Sequence, residues 1–263
     1  MNIIIYKMTS RGLCSELNNL LGFFEEQRHL QNLIYVDSTN STYFKGVSIQ
    51  DIFEFKHIPF VNTQPVSSES QIVSAKMYRR YMFKGDLFKI NPTEIDKVLK
   101  YTEDSKKTIK NIIDSLNLPE EYICVHIRRG DKVLEKPQAP KMGNKAEALR
   151  YEIKDYFNAI NEKIKNVFIM SDDYKAILEA KTYIRENNLN HKLFYLTNES
   201  QDGNCTIIDK KENRIYTKLD ILTFFSEIEI ARKSKCFIGT RSSNVFRFII
   251  STSPKNIKFI SLD

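Results

Sequence analysis

The feature that most restricts how this chain folds is a repeated break in pattern: a short apolar run stops at a polar cluster, and a helical period follows. Asn2-Ile3-Ile4-Ile5-Tyr6 precedes Thr9-Ser10-Arg11-Gly12, after which Leu13, Leu17, Leu20, Leu21 and Phe24 recur at helical spacing to about Arg28. Leu33-Ile34-Tyr35-Val36 ends at Asp37. Tyr122-Ile123-Cys124-Val125-His126-Ile127 runs into Arg128-Arg129-Gly130-Asp131, Asn166-Val167-Phe168-Ile169-Met170 stops at Ser171-Asp172-Asp173, and Cys236-Phe237-Ile238-Gly239 leads into Thr240-Arg241-Ser242-Ser243. Near-continuous apolar strands alternating with amphipathic helices are what a parallel sheet covered on both faces requires. The loops at the strand C-termini of such a sheet collect ligand-binding groups.

Helices are expected from about Tyr174 to Asn187, over 218–234 and from near Val245, with a further strand at Leu193-Phe194-Tyr195-Leu196. Asn91-Pro92-Thr93 reads as a helix start whose period continues through Ile95, Val98, Leu99, Ile109, Ile112 and Ile113 to Leu116, with Pro119 ending it. Residues 38–92 mix aromatic residues with Ser, Thr and Asn and read as irregular helix and loop. Strand-helix-strand in both halves gives an α/β fold of two facing Rossmann-like domains with mostly parallel sheets, divided at 1–118 and 119–263.

Composition supports a packed interior. Of 263 residues 41% are hydrophobic and 28% charged, and Gly and Pro number only 8 and 7, which is not the composition of a disordered chain. The net charge of +7 suits an anionic ligand, but Lys and Arg are mixed with Asp and Glu along the chain, unlike the basic stripe or arm of a nucleic-acid binder. Cys14, Cys124, Cys205 and Cys236 are far apart with no Cys-x-x-Cys pair, so buried thiols are expected and a metal site is not. No run approaches the roughly 18–20 apolar residues of a membrane span.

The segment His126-Ile127-Arg128-Arg129-Gly130-Asp131-Lys132-Val133 places two planar guanidinium forks, suited to phosphate oxygens, at a strand end. A surface Arg-Asp ion cluster is the alternative reading. With the strand ending in Ser171-Asp172-Asp173 and with Thr240-x-Ser242-Ser243-x-Val245-x-Arg247, the pattern resembles the fucosyltransferase superfamily of α-1,6-fucosyltransferases, nodulation fucosyltransferases and protein O-fucosyltransferases. Arg11-Gly12-Leu13-Cys14-Ser15-Glu16-Leu17-Asn18 is similar to that family's first turn and helix, and Val36-Asp37-Ser38-Thr39-Asn40 to its second strand end.

The resemblance implies the GT-B architecture and an inverting transfer of fucose from GDP-fucose to a hydroxyl of a glycan or peptide. Gly12 and Leu13 fall on the turn that meets the donor, His126 where the guanine base is contacted, and Glu227 where an acidic residue, usually Asp, pairs with the guanine N–H groups. Arg128 falls on the arginine that grips the β-phosphate, with Arg129 beside it. Ser243, with its neighbour Ser242, matches the serine that donates to the same phosphate. Asp172 and Asp173 match paired aspartates of which one helps hold the nucleoside. Lys132 falls on a lysine near the leaving diphosphate. The base that deprotonates the acceptor is expected at Glu135, although the aligned position is Lys136. No Asp-x-Asp motif is present, and the family is metal-independent.

Structural alternatives stand beside several of these residues. An aspartate of the Asp172-Asp173 pair is a natural helix N-cap. Glu227, two helical turns from Asp220, also fits a solvated face, and His126 also fits a satisfied core histidine. Packing suffices for Cys14. A cytosolic protein is expected, and the lack of the membrane anchor seen in animal Golgi fucosyltransferases, with a Lys-, Asn- and Ile-rich composition, points to a microbial or viral source. The rival functions are transfer from another GDP-sugar and non-catalytic nucleotide or glycan binding; nucleic-acid binding ranks third.

Overall fold

The computed structural model describes residues 3–27, 33–54, 71–74, 99–129, 151–160, 163–203, 214–254 and 256–263. The chain divides into two compact units, Met1–Lys110 with Thr206–Phe224, and Asn111–Cys205 with Phe225–Asp263.

In the first unit β1 (Ile3–Lys7) pairs in parallel with β2 (Leu33–Asp37) on one side and β4 (Gln71–Ser74) on the other. The helix α1 (Leu13–Gln27) joins β1 to β2, as the apolar period predicts, and Leu13, Leu17, Leu20, Leu21 and Phe24 are all buried. Full burial of Leu17 and Leu20 contributes about 1.5–3 kcal/mol each. A short helix α2 (Ile49–Ile52), capped by Ser48, leads into β3 (Phe53–Glu54), which pairs antiparallel with β5 (Lys100–Tyr101).

The long helix expected from Thr93 does not run unbroken to Leu116. Residues 93–98 lie outside the described residues, Lys100 and Tyr101 are extended, and the helix α3 (Glu103–Ser115) begins after Thr102. Thr102 acts as an N-cap: its hydroxyl accepts from the Ser105 N–H at 3.2 Å and its carbonyl from the Lys106 N–H at 2.9 Å. The Tyr101 ring stacks on Phe53, centroids 5.3 Å apart, so strand pairing with a good cap outcompetes helix propagation at this point.

The second unit holds the larger sheet. Its strands are β6 (Ile123–Ile127), β7 (Asn166–Ser171), β8 (Lys192–Tyr195), β9 (Cys236–Gly239) and β10 (Lys258–Ser261). All neighbours are parallel and the order is β8-β7-β6-β9-β10. In chain order that is 3-2-1-4-5, a Rossmann arrangement that changes direction between β6 and β9. Ligands of open α/β sheets bind outside the strand C-termini at that switch point.

Strand alternation sorts the residues onto two covered faces. Ile123, Val125, Ile127, Val167, Ile169, Cys236 and Ile238 pack with Tyr156, Phe157 and Ile160 from α4 (Ile153–Asn158) and its end, and with Ala176, Ile177 and Ala180 from α5 (Tyr174–Glu186). The other face carries Cys124, His126 and Phe237. Phe237 stacks on Phe246 of α7 (Asn244–Thr252), centroids 5.1 Å apart, and the Tyr122 hydroxyl donates to the Ile230 carbonyl of α6 (Lys218–Lys233) at 2.8 Å. Cys14, Cys124 and Cys236 are buried free thiols, as expected; Cys205 lies outside the described residues. Among the described residues no helix is long and apolar enough to cross a membrane.

Candidate functional site

Three strand ends meet at the switch point. Beyond β6, Arg128 follows His126 on the face that carries α6 and α7, and its guanidinium is ion-paired with Asp172, the first residue after β7. About a fifth of the Arg128 side chain remains exposed. Asp172 Oδ1 also accepts the Arg129 backbone N–H at 2.9 Å, so one carboxylate ties the ends of β6 and β7 together. Charge-assisted bonds of this kind are the strong ones.

Arg129 turns the other way, as alternation requires. It is buried, with Nη1 donating to the Tyr151 carbonyl and Nη2 to Glu179 Oε2, both at 2.9 Å. Its guanidinium is therefore committed to α5 and to the segment before α4. Asp173 is the N-cap of α5, accepting the Lys175 N–H at 2.9 Å. The two aspartates divide the roles that the sequence left open between capping and the strand-end cluster.

His126 and Glu227 lie on the α6 and α7 side and are both buried, at 4% and 8% exposure. The imidazole stacks over Phe237, centroids 6.4 Å apart, yet its Nδ1 has no hydrogen-bond partner among the described residues. Burial lowers its pKa to about 4, an effect that the nearby Asp172 carboxylate opposes and the Arg128 charge reinforces. Glu227 lies near Cys124 of β6 and Asp172; burial first, and then the Asp172 charge, push its carboxyl well above the usual range. No hydrogen bond to the Glu227 carboxyl is present among the described residues. Neither residue occupies its bland alternative: His126 is a core histidine left unsatisfied, and Glu227 is not on a solvated face, whereas Asp220 is exposed and binds Thr217.

The third contribution is the β9–α7 loop. Gly239 sits tightly under α7, and a Cβ there would come within 2.7 Å of Phe246 Cδ2 and 3.5 Å of His126 Cβ. Ser243 is the N-cap residue of α7 but makes no side-chain capping bond, while its backbone N–H donates to the Thr240 carbonyl at 3.0 Å. The Arg241 and Ser242 N–H groups both bind the Asp263 carboxylate, at 2.5 and 3.0 Å. Gaps in the satisfaction of buried polar groups are rare, and a helix N-terminus favours anions. Together the cluster offers a cation, a hydroxyl at a helix start, a buried imidazole nitrogen without a partner among the described residues, and a buried carboxyl.

In the first unit the Gly12 carbonyl accepts from Ser15 and Glu16 at the start of α1, and the buried Glu16 carboxylate reaches back to the Thr9 N–H at 2.9 Å. Among the described residues nothing lies within 4 Å of a Cβ placed on Gly12, so that turn presents open backbone, while the Leu13 side chain belongs to the core. Lys132 and Glu135 lie outside the described residues. No group of three or more His, Cys, Asp or Glu among the described residues is arranged to hold a metal ion. Sequence reasoning missed Glu179 and Asp263, which hold Arg129 and the Arg241–Ser242 backbone from distant parts of the chain.

No family model matches the sequence, and no curated protein sequence does. Solved structures are similar over nearly their whole length. NodZ alpha-1,6-fucosyltransferase soaked with GDP-fucose superposes with a TM-score of 0.57 at 13% identity, covering 100% of this chain and 96% of that one. For fucosyltransferase NodZ from Bradyrhizobium the values are 0.54, 11%, 100% and 96%, and for POFUT1 in complex with GDP-fucose 0.55, 11%, 100% and 98%. The chain has the fold of these fucosyltransferases. The similarity and the motif resemblance thus point the same way, and at such identities the fold is what is shared.

Proposed function

We propose that the chain is an inverting glycosyltransferase of GT-B architecture, with 1–118 on the acceptor side and 119–263 on the donor side, moving fucose from GDP-fucose to a hydroxyl of a glycan or protein acceptor. The observation that carries this reading is the buried His126 Nδ1 without a partner among the described residues, with the buried Glu227 carboxyl and Arg128 beside it at the switch point. A guanine base suits this cluster, since its N1–H and exocyclic amine are donors suited to an ionised Glu227, with His126 against the base. Crystals of neighbours with this fold contained GDP-fucose, which supports the same donor.

In this reading Arg128 and the Ser243 hydroxyl take the β-phosphate. Asp172 holds the guanidinium at the strand end and so reduces the ordering cost of binding. As the bond from the anomeric carbon to the diphosphate breaks, charge grows on the leaving oxygens. A fixed cation there stabilises the transition state more than the ground state. Lys132 adds a second cation, no metal takes part, and Glu135 removes the proton of the attacking hydroxyl. Asp173 and Arg129 shape the site through the backbone.

Transfer of labelled fucose from GDP-fucose, compared between the wild type and Arg128→Ala, tests the reading. Equal rates would remove it, and tighter binding of GDP-mannose than GDP-fucose would change the sugar.

A further inference from the structure

Asp263 lies outside every motif described above, yet it fixes the loop that leads to Ser243. Its carboxylate accepts the Arg241 N–H at 2.5 Å, the Ser242 N–H at 3.0 Å and the Ser261 hydroxyl at 2.6 Å, and the Ser242 hydroxyl binds it as well. Burial opposes ionisation here, but those donors outweigh it and hold the carboxyl below its ordinary pKa. The contact continues the β10–β9 ladder past its end. Ser261 is paired with Gly239, the Leu262 N–H donates to the Gly239 carbonyl at 2.9 Å, and Asp263 accepts the Ser242 N–H and shares the Arg241 N–H with the Ser261 hydroxyl oxygen, which lies 2.9 Å from it. On the loop's other edge the Arg241 carbonyl accepts from Arg247 Nε at 2.7 Å.

The carboxylate approaches from a definite side. Its charge reaches Tyr151 and Tyr156, which pack on the α4 face of the sheet, whereas His126 lies on the opposite face. The residue after the two held N–H groups, Ser243, keeps a hydroxyl uncommitted to its own helix.

We propose that Asp263 is a positioning residue that braces residues 240–243 so that Ser243 and the start of α7 meet the diphosphate of the bound nucleotide. This rests on the GDP-sugar reading above. A brace acting on the phosphate end alone weakens binding of GDP and spares guanosine, which has no phosphate.

The test is calorimetric titration of the full chain with GDP and with guanosine, for the wild type, Asp263→Ala and Asp263→Asn. The expected result is about tenfold weaker GDP binding by Asp263→Ala, equivalent to about 1.4 kcal/mol, with guanosine affinity unchanged. Asp263→Asn keeps one acceptor, falls between the two, and carries the comparison if the alanine variant does not fold. Equal loss for both ligands, unchanged GDP affinity, or tighter GDP binding would each overturn the brace. A wild type that binds neither ligand would overturn the GDP-sugar reading, and the brace with it.

Discussion

Replacing Glu227 by Gln separates two demands placed on one side chain. In the free protein its carboxyl is buried, without a hydrogen-bond donor among the described residues, and faces the charge of Asp172. Because the folded pKa is raised, the folded chain holds a proton that the unfolded chain gives up above the ordinary carboxylate range. The stability linked to that proton is complete below the ordinary value and lost as pH rises through the folded one, at about 1.4 kcal/mol per pH unit of elevation. Glutamine removes the titration, so at pH 8 Glu227→Gln is expected to unfold at a higher urea concentration than the wild type. Binding goes the other way. A guanine edge then meets an amide that accepts one hydrogen bond and opposes the second donor, at a cost of about 1.5–3 kcal/mol, or about ten- to a hundredfold in Kd. In the wild type GDP affinity rises with pH as binding expels the Glu227 proton, and in the variant that dependence disappears. Urea unfolding and calorimetry at pH 6 and 8 read both effects. A variant less stable than the wild type with unchanged GDP affinity would show that Glu227 serves packing, and the reasoning would fail.

Other substitutions probe the same cluster. Arg128→Ala is expected to lower kcat for fucose transfer by about 10²–10³, and Arg128→Lys to recover little of it because a point charge cannot replace the fork; a fully active lysine variant would place the requirement on charge alone. Gly239→Ala forces a Cβ to 2.7 Å from Phe246 Cδ2 and is expected to cost about 1–3 kcal/mol in urea unfolding, while unchanged stability would mean the helix shifts freely. His126, lowered from 6.5 to about 4, stabilises the fold above pH 6.5 and loses that contribution as pH falls towards 4, by at most about 3 kcal/mol; a stability profile that His126→Gln leaves unaltered over this range contradicts the assignment.

The two parallel sheets were legible because every strand in them but two is an unbroken apolar run closed by polar residues, a pattern that survives without context. Gln71–Ser74 and Lys258–Ser261 escaped since four residues with polar ends carry no period, and tertiary pairing alone makes them strands. Strand and helix ends made Arg128, Asp172 and Ser243 candidates, because a strand C-terminus is visible in sequence. The direction of a side chain at that end is not, unless alternation is carried past the strand: counting from His126 separates Arg128 from Arg129, which binds Tyr151 and Glu179 instead. The burial of Glu227 depends on α6 being covered around most of its circumference, with Ile221, Leu222, Phe225, Ser226, Ile228 and Ile230 all inside, and a tertiary fact of that sort leaves little trace in periodicity.

A crystal structure of the GDP complex is the most direct measurement. The expected result is the guanine N1 and N2 atoms within about 3.2 Å of the Glu227 carboxylate, and the β-phosphate bonded to Arg128 and Ser243 at the ends of β6 and β9. GDP bound elsewhere, with Glu227 still unpaired and Arg128 still closed on Asp172, would contradict the assignment of this site.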